Sequence, residues 1–249
     1  MKTGKIAKDR KSQNILSYDG VLYTYDSFYN FLKNHNFKKI GKDVDYDILV
    51  VSYNGKSVPL LIFQDSRTEE DWKTNFSFIP HPTKAYKGWK NKLWYHKGFY
   101  TAYQSARDEI ISELKKSIEE TKSDYVIVAG WSYGASISQI AVEDIYFHFG
   151  LKSTWIGYEG AHPCSTLHTR KVVQSCMKDD SIHFVYGGDI VPRCPPFPFG
   201  WKIKDFIYFI PSLKEPRWLC CGIRTLIDCF KTEHYHCNVD IGIKGSMKN

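Results

Sequence analysis

A serine between two glycines follows a strand-like run in residues 125–134, YVIVAGWSYG, and this junction limits the fold of the chain more than any other segment. The β-branched and aromatic residues before Gly130 are typical of a buried strand, and residues 135–150 are typical of a helix. A G-x-S-x-G sequence between a strand and a helix holds the serine on a strained turn, where a base can reach its hydroxyl. The two glycines and the serine of this pattern would match by chance in roughly one chain of this length in ten. Ser132 is therefore a candidate nucleophile, and the assignment depends on finding a base and an acid that could act with it.

Strands and helices alternate around this junction. Residues 46–53 and 57–64 are two apolar strands separated by Asn54-Gly55, a hairpin turn signal. Residues 102–120 carry apolar side chains at four-residue spacing among charged ones, which predicts an amphipathic helix. Further short strands are expected at residues 153–160, 181–186 and 205–210. This order predicts an α/β fold with parallel β-α-β units and a mixed, mostly parallel sheet that includes the N-terminal hairpin.

Composition limits the organisation of the chain and its location. With 249 residues and 43 % hydrophobic residues, it is long and apolar enough for one domain with a large core. We expect a flexible basic tail at residues 1–14 and a single domain over residues 15–249. The polar start lacks the apolar region of a signal peptide, no apolar run is long enough for a membrane span, and the seven cysteines are an odd number. These features predict reduced thiols and a cytoplasmic protein.

The formal net charge of +7 suits an anionic partner, although it is equally compatible with a role in solubility alone. No nucleic-acid-binding motif accompanies the charge, so we expect no nucleic-acid partner. A transient contact with an anionic membrane surface stays open, and the sequence leaves the oligomeric state unknown.

A nucleophilic serine needs a base, a carboxylate that orients the base, and donors for the oxyanion. Asp189 follows a predicted strand, although an Asp after Gly-Gly is commonly a turn residue. His234 and His236 compete as the base, and either one could instead fill a surface or core position. The same region holds four cysteines, namely Cys220, Cys221, Cys229 and Cys237. Together with the histidines, they raise a metal site as an alternative. Their spacing does not match that of a zinc site, so we expect neither a metal nor an organic cofactor.

Five segments, in chain order, resemble those of the class 3 lipases, the fungal triacylglycerol lipase family. Residues 62–78, IFQDSRTEEDWKTNFSF, resemble the family's F-R-G-[ST]-x-S-x-x-[DN]-W segment, and residues 96–108 resemble its H-x-G-F segment and the helix that follows. Residues 130–138, GWSYGASIS, resemble the G-H-S-L-G-G-A elbow. Residues 189–196, DIVPRCPP, are similar to D-x-V-P-x-x-P-P, and residues 233–234 are similar to the pair that carries the catalytic His. The resemblance implies an α/β-hydrolase-like fold with helices on both faces of the sheet.

The resemblance also implies a role for each matching residue. Ser132 would be the nucleophile, His234 the base (with His236 as the alternative) and Asp189 the group that orients it. Ser66 and the N–H of Tyr133 would hold the oxyanion. The implied activity is hydrolysis of carboxylic esters of lipids, either triacylglycerols or phospholipids, through an acyl-enzyme. An esterase for small soluble esters and an inactive lipid-binding protein are the alternatives.

Two departures from the family pattern affect these expectations. The Arg-Gly pair before the oxyanion residue is Gln64-Asp65, and a carboxylate facing the site would oppose the charge of the oxyanion. We expect the Asp65 side chain to point away. Residues 78–95 occupy the position of the family's lid and interleave Tyr86, Trp89 and Trp94 with lysines. This mixture suits a membrane interface, although a packed loop is the alternative.

Overall fold

The computed structural model describes residues 13–41, 43–65, 79–83, 93–164, 168, 172–186, 191–194 and 207–210. The strands are β1 (Asn14–Tyr18), β2 (Val21–Thr24), β3 (Lys39–Ile40), β4 (Asp45–Tyr53), β5 (Lys56–Phe63), β6 (Pro80–Thr83), β7 (Leu93–His96), β8 (Val126–Trp131), β9 (Ser153–Tyr158), β10 (Ile182–Tyr186) and β11 (Ile207–Ile210). The helices are α1 (Tyr25–Asn34), α2 (Lys97–Thr121) and α3 (Tyr133–Phe149). A short helical turn at Gln174–Cys176 and a 3-10 turn at Val191–Arg193 follow β9 and β10.

One large mixed sheet organises the described residues. Its strand order is β11-β10-β9-β8-β5-β4-β1-β2, with β3 paired to β4, while β6 and β7 form a separate antiparallel pair. The strands from β5 through β8, β9 and β10 to β11 are parallel, and the pairs on the other side of β5 are antiparallel. The predicted mixed α/β-hydrolase-like fold is confirmed.

The predicted hairpin is confirmed as the β4–β5 pair, whose register runs from Tyr46 opposite Phe63 to Tyr53 opposite Lys56. Asn54 and Gly55 both have positive φ, at 50° and 76°. This is the conformation that a two-residue hairpin turn with right-handed strand twist requires.

Both faces of the sheet are covered because side chains of one strand alternate between them. In β5, Leu61 and Phe63 pack into the core under α2 and α3, while Leu60 and Ile62 pack into the core under α1. The core under α2 and α3 includes Trp155, one of the largest fully buried side chains in the described residues. The expectation of helices on both faces is therefore correct.

The helix predicted over residues 102–120 is longer than its apolar repeat, since α2 begins at Lys97 and ends at Thr121. His96 precedes it in an extended conformation without a side-chain cap, so no capping signal marks this start in the sequence. The helix predicted over residues 135–150 begins two residues earlier, at Tyr133. This early start matters because it places the Tyr133 N–H in the first turn.

The N-terminal β1-β2-α1 unit was not predicted. Asp19 and Gly20, with φ of 49° and 77°, form the turn between β1 and β2, and Thr24 caps α1 by accepting a hydrogen bond from the Ser27 N–H at 3.2 Å. Asn14, which the sequence analysis placed in the tail, is the first residue of β1. In the part of the chain that the structure describes, no helix is both long and apolar enough to cross a membrane.

Candidate active site

Ser132 lies at the sharp turn between β8 and α3. Its φ of 52° and ψ of −116° place a non-glycine residue in a backbone conformation that costs on the order of 1–3 kcal/mol. The Ser132 N–H donates to the Tyr158 carbonyl at 2.7 Å, and its own carbonyl accepts from the N–H and the hydroxyl of Ser136, both at 3.2 Å. These bonds hold the strained turn, and the geometry confirms the predicted elbow.

Gly130 and Gly134 are required by close backbone approach. A Cβ at Gly130 would lie 2.4 Å from the Gly134 carbonyl carbon, and one at Gly134 would lie 2.5 Å from the Phe63 carbonyl oxygen. Contacts this short with backbone atoms cannot be relieved by a rotamer change. The two glycines of G-x-S-x-G therefore allow α3 to pack against the ends of β5 and β8.

The Tyr133 N–H lies in the first turn of α3, where the N–H groups lack helical acceptors and the helix dipole favours negative charge. The ring of Tyr133 is buried against Phe99, with centroids 5.6 Å apart. Its hydroxyl donates to the Asp43 carbonyl at 3.4 Å. These contacts fix the position of the residue that carries the predicted oxyanion donor.

The expectation that the Asp65 side chain points away was wrong. Its Oδ1 lies 3.3 Å from the Tyr133 N and accepts the hydrogen bond of that N–H. The physical reason is that β5 ends at Phe63 beside the elbow, so a carboxylate two residues later reaches the positive end of α3. Asp65 therefore accepts the hydrogen bond of the same N–H that the sequence analysis predicted for the oxyanion.

Most of the other predicted site residues lie outside the described part of the chain: Ser66, Tyr86, Trp89, Asp189, His234 and His236. Their roles stay predictions. The described β10 ends at Tyr186, three residues before Asp189 in the chain. Because β10 is two strands from β8 in a parallel sheet, its carboxyl end lies on the same edge as Ser132, about 10 Å away. Trp94 is described on β7 and is 39 % exposed.

A second cluster of reactive side chains lies in the core and was missed by the sequence analysis. Glu143 of α3, Cys164 and His168 are all buried, and their ligand-type atoms lie within 4.8 Å of one another. The His168 Nε2 lies 2.6 Å from the Glu143 Oε2. Burial disfavours the imidazolium, but the charges and hydrogen bonds of Cys164 and Glu143 outweigh it and raise the pKa of His168 to about 11. Glu143 lies 21 positions before Cys164, so the four-residue spacing of Cys164 and His168 is the only local signal for the cluster.

Comparison with known proteins agrees with the fold and the elbow. The family model described as lipase (class 3) matches residues 60–199. Secreted mono- and diacylglycerol lipase A of Penicillium cyclopium is 23 % identical over 156 residues, which is 63 % of this chain and 49 % of the relative. Secreted mono- and diacylglycerol lipase LIP2 of Malassezia restricta is 27 % identical over 144 residues, which is 57 % of this chain and 43 % of the relative. The chain thus spans about half the length of these curated relatives or less.

Solved structures share the fold at low identity. The native Rhizomucor miehei lipase propeptide complex matches with a TM-score of 0.56 and 20 % identity, over 71 % of this chain and 56 % of that one. A triacylglycerol lipase whose catalytic centre is described as a serine protease triad matches with a TM-score of 0.56 and 21 % identity. The match covers 74 % of this chain and 68 % of that one.

The prediction of a cytoplasmic location was wrong. It conflicts with the curated relatives, which are named as secreted lipases. An odd cysteine count was a weak basis for it, because buried thiols persist wherever solvent and oxidants are excluded. Cys164, Cys176 and Cys194 are all free and buried.

Proposed function

The chain belongs to the class 3 lipase family, and we propose that it hydrolyses carboxylic esters of lipids through an acyl-enzyme on Ser132. The observation that carries the proposal is the elbow, where Ser132 has a φ of 52° at the N-terminal end of α3. A serine on this strained turn carries its hydroxyl next to the backbone N–H of Tyr133, a donor suited to an oxyanion.

The proposed mechanism assigns the remaining roles to residues beyond β10. His234 takes the proton of the Ser132 hydroxyl and returns it to the leaving alcohol, while Asp189 orients and stabilises the imidazolium. His236 is the alternative base. Attack forms a tetrahedral intermediate whose oxyanion accepts hydrogen bonds from the N–H groups of Tyr133 and Ser66. Water then attacks the acyl-enzyme, and the same base assists its hydrolysis.

The proposed substrates are acylglycerols, with phospholipid acyl esters as a further class. The relatives from Penicillium cyclopium and Malassezia restricta are named mono- and diacylglycerol lipases, which supports acylglycerols for this chain. Assays on monoacylglycerol, triacylglycerol and anionic phospholipid would test this assignment. Equal turnover of soluble short-chain esters below and above their aggregation point, with no turnover of any lipid, would favour a small-molecule esterase instead.

We also propose transient contact with an anionic membrane surface through the segment that contains Tyr86, Trp89 and Trp94. Trp94 on β7 is 39 % exposed, and Ile79, the residue before β6, is 62 % exposed. Exposed apolar side chains next to lysines are suited to a headgroup region. Sedimentation with vesicles of anionic and of neutral lipid would test the contact, which should weaken in neutral vesicles and in the Trp94→Ala variant.

A second candidate function is lipid binding without catalysis, and the contact between Asp65 and the Tyr133 N–H favours it. If the carboxylate stays in place, it denies the oxyanion a donor and adds a like charge. An alkyl phosphonate probe that reacts with activated serines separates the two functions. Labelling of Ser132 supports hydrolysis, and intact protein that resists the probe at high concentration supports the inactive alternative.

A further inference from the structure

We propose that Glu143, Cys164 and His168 form a structural binding site for a thiolate-preferring divalent cation, with Zn²⁺ as the best fit. This inference goes beyond the proposed ester hydrolysis. Glu143 follows Ser132 by eleven residues, roughly 16 Å along the axis of α3. A cation there would stabilise the fold and would not contact the substrate.

The three side chains supply three of the four ligands of a tetrahedral zinc site. Thiolate, imidazole and carboxylate are the ligands that Zn²⁺ prefers in proteins. Their potential ligand atoms already lie within 4.8 Å of one another, and all three residues are buried. Tetrahedral bonds of ordinary length would place the Nε2 and the oxygen about 3.3 Å apart. The present 2.6 Å contact between His168 and Glu143 would therefore open by less than one ångström.

The surrounding hydrogen bonds are those of a prepared metal site, and they are an independent observation. The His168 Nδ1 lies 3.1 Å from the Trp94 carbonyl oxygen, which holds the ring with its Nε2 directed at the cluster. The hydroxyl of Tyr95 donates to the Glu143 Oε1 at 2.8 Å and orients the carboxylate. Metal-bound histidines commonly donate their other ring N–H to a carbonyl, and metal-bound carboxylates are themselves hydrogen-bonded.

The charges of the three ligands would balance a divalent cation. A divalent ion bound by one thiolate, one carboxylate and a neutral imidazole gives a site with zero net charge, which is the least costly state for a buried group of ions. Binding replaces the proton on the His168 Nε2 and the thiol proton of Cys164 with metal bonds, and both protons leave to solvent.

The site would join three parts of the fold. Glu143 lies on α3 and Cys164 forms an isolated antiparallel bridge with Tyr95 of β7, while the His96 N–H donates to the Pro163 carbonyl at 2.8 Å. A cation held by Glu143 and Cys164 would therefore couple the helix behind Ser132 to the β6–β7 pair. This position explains how a metal remote from the nucleophile would stabilise the surroundings of the site.

The test is the metal content of the purified full chain after dialysis against zinc, together with the absorption spectrum of the cobalt(II) form. Wild type should hold about one zinc per chain and show the near-ultraviolet thiolate-to-cobalt band. Cys164→Ser should lose both, whereas Cys176→Ser, at another buried free cysteine, should keep both. Cys237→Ser controls for the C-terminal cysteines and should also keep both.

The outcomes that overturn the proposal are equally specific. A wild-type chain holding less than about a tenth of a zinc would do so, as would an unchanged metal content and cobalt band in Cys164→Ser. Loss in Cys237→Ser with retention in Cys164→Ser would place the metal elsewhere. If Cys164→Ser fails to fold, Tyr95→Phe decides: it keeps every ligand and should weaken zinc affinity about 10-fold or more, so unchanged affinity would contradict the site.

Discussion

Replacing Asp65 should increase the rate of ester hydrolysis. The Asp65 Oδ1 accepts the hydrogen bond of the Tyr133 N–H at 3.3 Å, so the carboxylate and the substrate oxyanion compete for one donor. Asp65→Gly matches the residue that the family pattern has before the oxyanion serine and removes the competitor. Asp65→Asn keeps an acceptor oxygen and removes only the charge.

The expected magnitude follows from two terms. Loss of one oxyanion donor costs about 10²- to 10³-fold in kcat. Two unit charges about 4 Å apart repel by about 4 kcal/mol at the effective dielectric constant of a protein surface, which alone would correspond to about 10³-fold. Movement of the carboxylate on substrate binding would recover part of this loss. We therefore expect kcat/KM to rise about 10- to 10³-fold in Asp65→Gly, with Asp65→Asn between this variant and wild type.

The assay is hydrolysis of a chromogenic short-chain ester, measured in parallel with the rate of phosphonate labelling at Ser132. Asp43→Asn is the matched control, because Asp43 is exposed and its backbone, not its carboxylate, contacts Tyr133. It should leave both rates near wild type. If both Asp65 variants fold and are no faster than wild type in either assay, the carboxylate does not obstruct the oxyanion site and the reasoning fails.

Three further predictions test the elbow, the alkaline stability and the base. Gly134→Ala should lower the free energy of unfolding by about 2–3 kcal/mol in urea titrations, because its Cβ would lie 2.5 Å from a backbone oxygen. Gly55→Ala meets open space and is strained only by its φ of 76°, so it should cost about 1 kcal/mol. The reverse order would be contrary to the packing argument. Burial and a neighbouring carboxylate raise the pKa of Tyr53 above its usual value, so its stabilising contribution is present below the unfolded pKa of about 10 and is lost at higher pH. Tyr53→Phe should therefore lose less stability than wild type as the pH rises from about 9 to about 11, through the unfolded pKa, and parallel losses would be inconsistent with this assignment. His234→Ala should lower kcat by about 10⁴-fold or more, and His236→Ala should not; the opposite result would assign the base to His236.

Local sequence predicted the parts of the fold that depend on local geometry. The two glycines around Ser132 reflect contacts with neighbouring backbone, and Asn54-Gly55 reflects positive φ at both positions. Periodic apolar residues located α2, and the β-branched run before Gly130 located β8. Each of these signals is a direct physical requirement of the element that it marks, so no knowledge of distant contacts was needed.

Tertiary contacts decided what the sequence could not indicate. Helix α1 is an exception, because its buried residues Tyr25, Phe28 and Tyr29 lie at helical spacing and could have been predicted from the sequence. The orientation of the Asp65 side chain depends on its hydrogen bond with Tyr133 at the N-terminal end of α3, 68 residues later in the chain. The cluster at Glu143 likewise forms only when α3 packs beside β7.

The central claim is that Ser132 is an activated nucleophile, and mass spectrometry of the phosphonate-treated protein tests it most directly. Wild type should carry one phosphonate per chain, located by peptide mapping on Ser132, and Ser132→Ala should carry none. Lipid hydrolysis by Ser132→Ala should fall by about 10⁴-fold or more. A label on a different residue, or equal hydrolysis by folded Ser132→Ala and wild type, would contradict the account.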